Sequence, residues 1–146
     1  MLQSSALIFP QALAMLEYKI RQSGDVTLID LKGPITLGEA LAHDSESGDH
    51  PGEGERPVVI GEIVRDLLKR GRHKILLNLK NVNYIDSSGI GELVGAFTKV
   101  QAQGGQLKLL NPTVKVVNVL RLTRLDHFFP VETDEAAAIQ SFALPG

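Results

Sequence analysis

The sequence of 146 residues contains no cysteine. This absence excludes a disulfide framework, thiol catalysis and zinc sites with cysteine ligands. Fifteen basic and seventeen acidic residues give a formal net charge of −2, so there is no excess positive charge to bind nucleic acid or an anionic membrane. No apolar run reaches the roughly 18 to 20 residues that a membrane-spanning helix needs. The composition therefore predicts a cytoplasmic protein with no direct nucleic-acid partner and no membrane partner.

Two segments do not follow the pattern of a folded domain. Residues 1–14, MLQSSALIFPQALA, are apolar but have no basic region, so we interpret them as a leader or disordered arm rather than a secretory signal. Residues at about 42–58 are mostly polar, acidic and rich in glycine, which predicts a loop insertion. His43 and His50 lie in this loop without the spacing of metal ligands, so we predict no metal site. The length suits one domain over residues 15–146.

The first half of this domain contains two strand patterns and one helix pattern. Alternating or continuous apolar residues at 16–21 and 26–32, with Gly-Asp between them, predict a β-hairpin. The Gly33-Pro34 pair is expected to end the second strand, because proline has no N–H to donate. An apolar stripe with helical spacing predicts an amphipathic helix at 61–70.

A strand, a helix and a second strand follow in close succession. Residues 74–79 and 106–110 are apolar strand patterns, and between them one helical face runs from Ile90 to Val100. A strand, helix and strand in this order require parallel pairing with a right-handed crossover. The sequence therefore predicts an α/β fold with a mixed sheet of four to five strands and about four helices.

The last part of the chain predicts two more helices and a short strand. Asn111 is expected to cap a helix at 113–122, with proline in its first turn, and residues 129–132 form a strand. Thr133 would cap the final helix. The residues of this helix that we expect to face the core are Ala136, Ile139 and Phe142.

The segment IDSSGIG stands where the strand pattern changes to a helix pattern. In parallel sheets, ligands and reactive groups collect at this carboxyl edge. Ser87 or Ser88 could cap the helix, and either hydroxyl could instead serve another function. The first turn of a helix also favours an anion. Both interpretations of the serines remain open from the residues alone.

Three enzyme patterns fail in this region. The glycines from Gly89 to Gly95 do not have dinucleotide-binding spacing, and Asp86 would repel a pyrophosphate. The segment is not G-x-S-x-G, and no phosphate-binding loop ending in Gly-Lys-Ser or Gly-Lys-Thr is present. Nothing in the spacing brings His73 or His127 to a serine. We therefore predict no catalytic residues, no cofactor and no enzyme activity.

Phosphorylation requires only one hydroxyl. A phosphate on Ser87 would add a charge of about −1.5 to −2 beside Asp86 at a helix N-terminus. The helix end would make this charge tolerable to the fold, while the added negative charge would disfavour an acidic or apolar partner. This predicts a binding switch without a large structural change.

The segments ILLNLKNVNYIDSSGIGELVGAF and GGQLKLLNPTVKVVNVLRLTRLDHFFPV resemble the STAS domain family, and within it the bacterial anti-sigma factor antagonists. The resemblance covers residues 16–142 apart from the acidic insertion, and it implies a sheet with its helices mainly on one face. It also implies that an anti-sigma factor with serine-kinase activity phosphorylates the first serine of D-S-S-G, which is Ser87. The unphosphorylated form would bind this kinase and release the sigma factor, and a metal-dependent serine phosphatase would reverse the modification.

The same resemblance predicts the partner-binding surface, with Asp86 helping to present the serine to the kinase. The residues expected to contact the partner are Asp86, Ser87, Ser88, Gly89, Ile90 and Glu92. The insertion at about 42–58 is longer and more acidic than the usual connection in the family and leaves the partner's identity open. The alternative is a STAS scaffold or adaptor in a stress-signalling or lipid-transport complex that phosphorylation does not regulate.

Overall fold

The computed structural model describes residues 15–36 and 58–143. The leader, most of the insertion and the two loop histidines, His43 and His50, lie outside the described residues. The described elements, in chain order, are β1 Glu17–Ser23, β2 Val26–Ile35, α1 Ile60–Lys69, β3 Lys74–Ile85, α2 Ser87–Ala102, β4 Gln106–Leu110, α3 Val114–Leu122, β5 Val131–Glu132 and α4 Glu135–Ser141.

The strands form one sheet in the order β1-β2-β3-β4-β5. The pair β1 and β2 is the antiparallel hairpin that the sequence predicts, and the next three pairs are parallel. Parallel neighbours need a crossover connection, which α1, α2 and α3 occupy in turn along the chain. The mixed α/β sheet is therefore confirmed.

The two faces of the sheet bury separate sets of apolar side chains. On one face, strand residues such as Ile75 and Leu77 pack with helical residues such as Val64 and Leu93 in the main core. On the other face, Leu76 belongs to a smaller cluster with residues of α4. Neighbouring residues of a strand point to opposite faces, so three helices cover one side and α4 covers the other. The prediction of helices mainly on one face is confirmed.

Strand β2 does not end at Gly33-Pro34, and this prediction was wrong. It continues to Ile35, with an irregular register against β3 in this region. Strand β1 begins at Glu17, opposite Lys32. Residues 33–35 of β2 therefore have a neighbouring strand, β3, on one side only. A residue without an N–H is tolerated where one edge of a strand is unpaired.

Strand β3 is also longer than predicted and ends at Ile85 instead of Leu79. Its pairing with β4 stops at Asn78, whereas its pairing with β2 continues to the end of the strand. The second half can therefore include polar, exposed residues while Val82 and Ile85 remain buried. The strand leads directly into the D-S-S-G segment without an intervening loop.

The cap of α3 differs from the sequence prediction. Thr113, and not Asn111, is the N-cap, and its side chain accepts a hydrogen bond from the backbone N–H of Val116. The Thr113 hydroxyl also donates to the Val82 carbonyl oxygen at 3.0 Å. Asn111 has φ of 51°, a conformation that asparagine tolerates better than most residues. The helix therefore starts after the turn that Asn111 makes.

The cap of α4 is Asp134 and not Thr133. The Asp134 carboxylate accepts a hydrogen bond of 2.9 Å from the backbone N–H of Ala137. Phe142 is buried as predicted, but Ala136 is exposed and Ala138 occupies the core instead. Positions 138 and 142 are four residues apart and share a helical face, whereas position 136 lies on another face.

Candidate functional site

The candidate site lies where β3 ends and α2 begins. Ile85 is the last residue of β3, Asp86 is the N-cap of α2, and Ser87 is the first residue of the helix. Ile35, the last residue of β2, pairs with Ile85 in parallel register. The residues that follow these two strands therefore meet at one point on the carboxyl edge of the sheet.

Asp86 caps helix α2 with its side chain. Its Oδ1 atom accepts hydrogen bonds from the Gly89 backbone N–H at 2.9 Å and from the Ser88 hydroxyl at 2.7 Å. Of the two interpretations left open for Ser87 and Ser88, capping of the helix does not hold, because Asp86 is the N-cap. Aspartate and serine cap helices about equally well, and here the extended backbone at position 86 puts the carboxylate in the capping position.

Thr36 completes the site and was missed by the sequence analysis. Its hydroxyl donates a hydrogen bond of 2.7 Å to Asp86 Oδ2 and lies 3.4 Å from the Ser88 hydroxyl. The residue directly follows β2, as Asp86 directly follows β3. The parallel register of the two strands is the signal that could have identified it.

The Asp86 carboxylate remains ionised in this arrangement. Burial by itself would raise the pKa of Asp86, but the hydrogen bonds from Thr36, Ser88 and the Gly89 N–H lower it below its usual value. Donors stabilise the charged form of a carboxylate more than the neutral form. Asp86 therefore provides a fixed negative charge next to Ser87.

The two serines of the segment have different environments. Ser88 is half-buried, and its hydroxyl donates to Asp86. Ser87 is exposed, and its side chain has no hydrogen-bond partner among the described residues. Of these two hydroxyls, only that of Ser87 is exposed and has no hydrogen bond in the described part of the chain.

The other predicted contact residues have packing roles. A Cβ atom at Gly89 would collide with the Ile35 carbonyl oxygen and lie 2.8 Å from Ile85 Cγ1. Ile90 is a buried core residue. The Glu92 carboxylate accepts a hydrogen bond of 3.2 Å from the backbone N–H of Gly61 in the first turn of α1. These three residues position α2 against β2 and α1.

Neither histidine that was considered for catalysis forms a described hydrogen bond with Ser87. His73 precedes β3, whereas Ser87 follows it, so a strand of twelve residues separates them. His127 has a side chain that is 96% exposed and lies 3.5 Å from the neighbouring Asp126. Within residues 15–36 and 58–143, no group of three or more metal-ligating side chains could hold a metal ion.

A second charged cluster lies on the α4 side of the sheet. The Arg21 guanidinium binds Asp30 at 2.7 and 2.9 Å and Glu135 at 3.0 Å through two nitrogens. Asp30 also accepts a hydrogen bond of 2.8 Å from the Asn78 amide. Hydrogen bonds from Arg21 lower the pKa of both carboxyl groups. This cluster connects β1 and β2 to α4.

The family of the chain is decided by how many of its residues a family model matches. The family model described as the STAS domain matches residues 17–138, which include every described strand and the candidate site. The chain belongs to the STAS domain family. The family resemblance that the sequence suggested is thereby confirmed, and none of the helices described for this STAS protein is long and apolar enough to cross a membrane.

The STAS protein is similar to proteins named as anti-sigma factor antagonists. It is 36% identical over 62 residues to the anti-sigma-B factor antagonist of Bacillus subtilis (strain 168), a match that covers 42% of this chain and 57% of the relative. The chain thus matches little more than half the length of that relative.

Two solved structures show the same fold. An anti-sigma factor antagonist from Mycobacterium paratuberculosis superposes with a TM-score of 0.63 at 18% identity, covering 88% of this chain and 95% of that one. The Bacillus cell fate determinant SpoIIAA in its phosphorylated form superposes with a TM-score of 0.57 at 19% identity, covering 86% of this chain and 99% of that one. At these identities the likeness shows the fold alone.

Proposed function

We propose that this STAS protein is a cytoplasmic anti-sigma factor antagonist. Its unphosphorylated form binds an anti-sigma factor that is a serine kinase, and this binding releases the sigma factor. Phosphorylation of Ser87 ends the binding, and a serine phosphatase restores it. The names of its relatives support the antagonist role. The protein itself is a phosphate acceptor and a binding partner, not an enzyme.

The main support for the proposal is the accessibility of the Ser87 hydroxyl. It is exposed at the first residue of α2, and it has no hydrogen-bond partner in the described part of the chain. A kinase can therefore reach it without breaking a contact of the fold. The N-terminus of a helix also carries a partial positive charge that stabilises a phosphate.

The change in binding is electrostatic. A phosphate at Ser87 would bring about −1.5 to −2 charges to a position next to the ionised Asp86. Asp86 forms no ion pair with a described lysine, arginine or histidine, so no described side-chain cation in contact with it offsets its own charge. An acidic or apolar partner surface that accepts the single charge of Asp86 would therefore bind the phosphorylated form more weakly.

The surface available to the kinase is narrower than the predicted contact set. Ser87 is exposed, and Asp86 and Ser88 are half-buried. Gly89 and Ile90 are buried beneath them. We therefore expect Ser87 and its half-buried neighbours Asp86 and Ser88 to meet the partner. The buried Gly89 and Ile90 support them from below, and the half-buried Glu92 supports them through its bond to the Gly61 N–H.

The proposal can be tested with the serine-kinase anti-sigma factors encoded in the same genome. Each purified kinase is incubated with the protein and ATP, and the product is analysed by intact-mass and peptide mass spectrometry. We expect a single phosphate on Ser87, which Ser87→Ala abolishes and the neighbouring control Ser88→Ala retains. A phosphate at Ser88 would correct the site, and no modification by any of the kinases would contradict the switch.

Binding measurements distinguish the switch from the adaptor role. Ser87→Ala should bind the kinase constitutively, whereas Ser87→Asp should bind it more weakly because it adds a negative charge at the contact. Equal affinities of these two variants would favour an unregulated STAS scaffold.

A further inference from the structure

Thr36 links two separate elements at the candidate switch. It follows the last residue of β2, and its hydroxyl donates to Asp86 Oδ2 at 2.7 Å across a separation of 50 residues. Thr36 is exposed at the same carboxyl edge of the sheet as Ser87. It is therefore close to the phosphate acceptor in space, although it lies in a different part of the chain.

The hydrogen bonds of Asp86 divide between its two oxygens. Oδ1 accepts from the Gly89 N–H and from the Ser88 hydroxyl, whereas the side-chain donor described for Oδ2 is Thr36. A carboxylate can accept about four hydrogen bonds. Without the Thr36 hydroxyl, Oδ2 would lose this donor, and the adjacent residue Ser87 carries a hydroxyl that could replace it.

We infer that Thr36 is a positioning residue for the phosphorylation switch: its hydroxyl holds Asp86 in the capping geometry and thereby leaves the Ser87 hydroxyl available to the kinase. This inference rests on the proposed function of Ser87. Thr36 contributes no atom to phosphate transfer. It acts through Asp86, which it fixes from the end of β2 while Ser88 and Gly89 fix the same carboxylate from α2.

The hydrogen bond between Thr36 and Asp86 joins two residues that directly follow different strands. A cap held only by Ser88 and Gly89 would depend on the first turn of α2, where helix ends fray most readily. The bond to Thr36 attaches the cap to the sheet, because Ile35 and Ile85 are paired immediately before Thr36 and Asp86. The phosphate acceptor is then presented from a fixed position.

The test compares three variants of the intact protein. Thr36→Val removes the hydroxyl with little change in shape, and Thr36→Ser keeps the hydroxyl. Thr98→Val is the matched control, because Thr98 is an exposed threonine of α2 whose hydroxyl bonds to the Val94 carbonyl oxygen away from the site. Phosphorylation by the serine-kinase anti-sigma factor is followed by intact mass, and the pKa of Asp86 is measured by carbon-detected NMR.

Loss of one charge-assisted hydrogen bond predicts that kcat/KM for phosphorylation of Thr36→Val falls about tenfold. Thr36→Ser should restore the rate, and Thr98→Val should match the wild type. The pKa of Asp86 should rise in Thr36→Val only, which a general loss of stability would not produce. The groups described around this carboxylate are the hydroxyls of Thr36 and Ser88 and the backbone N–H groups of Ser88 and Gly89, none of which is charged, and only the Thr36 hydroxyl is removed in Thr36→Val.

Several results would overturn the inference. One is a wild-type rate for Thr36→Val, and another is an equal loss in Thr36→Ser or in the Thr98→Val control. An unchanged pKa of Asp86 in Thr36→Val would also overturn it. If no kinase phosphorylates the wild-type protein, the proposed function fails and the inference fails with it, whereas normal wild-type phosphorylation with an unaffected Thr36→Val refutes only the inference.

Discussion

Replacing Asp86 by alanine should destabilise the protein measurably, because one carboxylate caps α2 and accepts two hydroxyls. Loss of a helix N-cap costs about 0.5–2 kcal/mol. The bonds from Ser88 and from Thr36 at 2.7 Å each are lost as well, and water can replace part of the Thr36 bond because that residue is exposed. We expect a total loss of about 2 kcal/mol in the free energy of unfolding.

The assay is urea unfolding followed by circular dichroism at pH 7, with Asp25→Ala as the control. Asp25 is an exposed carboxylate of the β1-β2 turn that pairs with Lys74 at 2.9 Å, so its loss should change the midpoint little. A decrease for Asp86→Ala that does not exceed the decrease for Asp25→Ala would refute the assignment of Asp86 as a cap that stabilises the fold.

The pH dependence gives a second check on Asp86. Its pKa is lower in the folded protein than in the unfolded chain, where the value is about 3.9. The stabilisation is therefore complete above the unfolded pKa and is lost as the pH falls through the folded pKa. Asp86→Asn keeps a capping oxygen but cannot ionise, so its stability difference from the wild type should shrink below about pH 4. A difference that stays constant across this range would contradict the charged cap.

Three further predictions concern the packing of α2 against β2, the two serines of the site and the Arg21 cluster. Gly89→Ala should lower the free energy of unfolding by about 1–3 kcal/mol because the new methyl group collides with β2. Gly91→Ala is the control and should be neutral or stabilising, because a Cβ atom at position 91 meets open space. Equal effects of the two variants in urea unfolding would refute the close approach of Gly89 to β2. Ser88→Ala should lower the free energy of unfolding by about 1 kcal/mol, whereas Ser87→Ala should leave it almost unchanged. A larger loss for Ser87→Ala than for Ser88→Ala in thermal unfolding would contradict the hydrogen bonds of the site. Arg21→Met should raise the pKa values of its two carboxylate partners, as seen by NMR, and should speed hydrogen exchange in α4; unchanged pKa values would contradict the ion-pair cluster.

The sheet and its helices were predictable because their signals are local. Buried parallel strands such as 74–79 are continuously apolar, and the helix between β3 and β4 repeats its apolar residues at helical spacing. The ends of the strands were less predictable. Proline at position 34 and polar residues after Leu79 normally end a strand. In this sheet β2 continues beyond its pairing with β1, and β3 continues beyond its pairing with β4.

The candidate site was predictable in its position but not in its hydrogen bonds. Asp86, Ser87 and Ser88 all favour capping positions, so composition alone could not decide which of them is the cap. Thr36 was missed for a related reason. The Gly33-Pro34 pair predicts an early end of β2, and with that end Thr36 and Asp86 do not follow paired strands. The Arg21 and Glu135 contact spans 114 residues and has no local signal.

The most direct test of the central claim is the affinity of the kinase-type anti-sigma factor for the protein in its two states. Protein with phosphoserine incorporated at position 87 and unmodified protein are each titrated into the anti-sigma factor in a calorimeter at the same ionic strength. The charge added beside Asp86 predicts that the phosphorylated form binds at least about tenfold more weakly. Equal affinities of the two forms would contradict the switch.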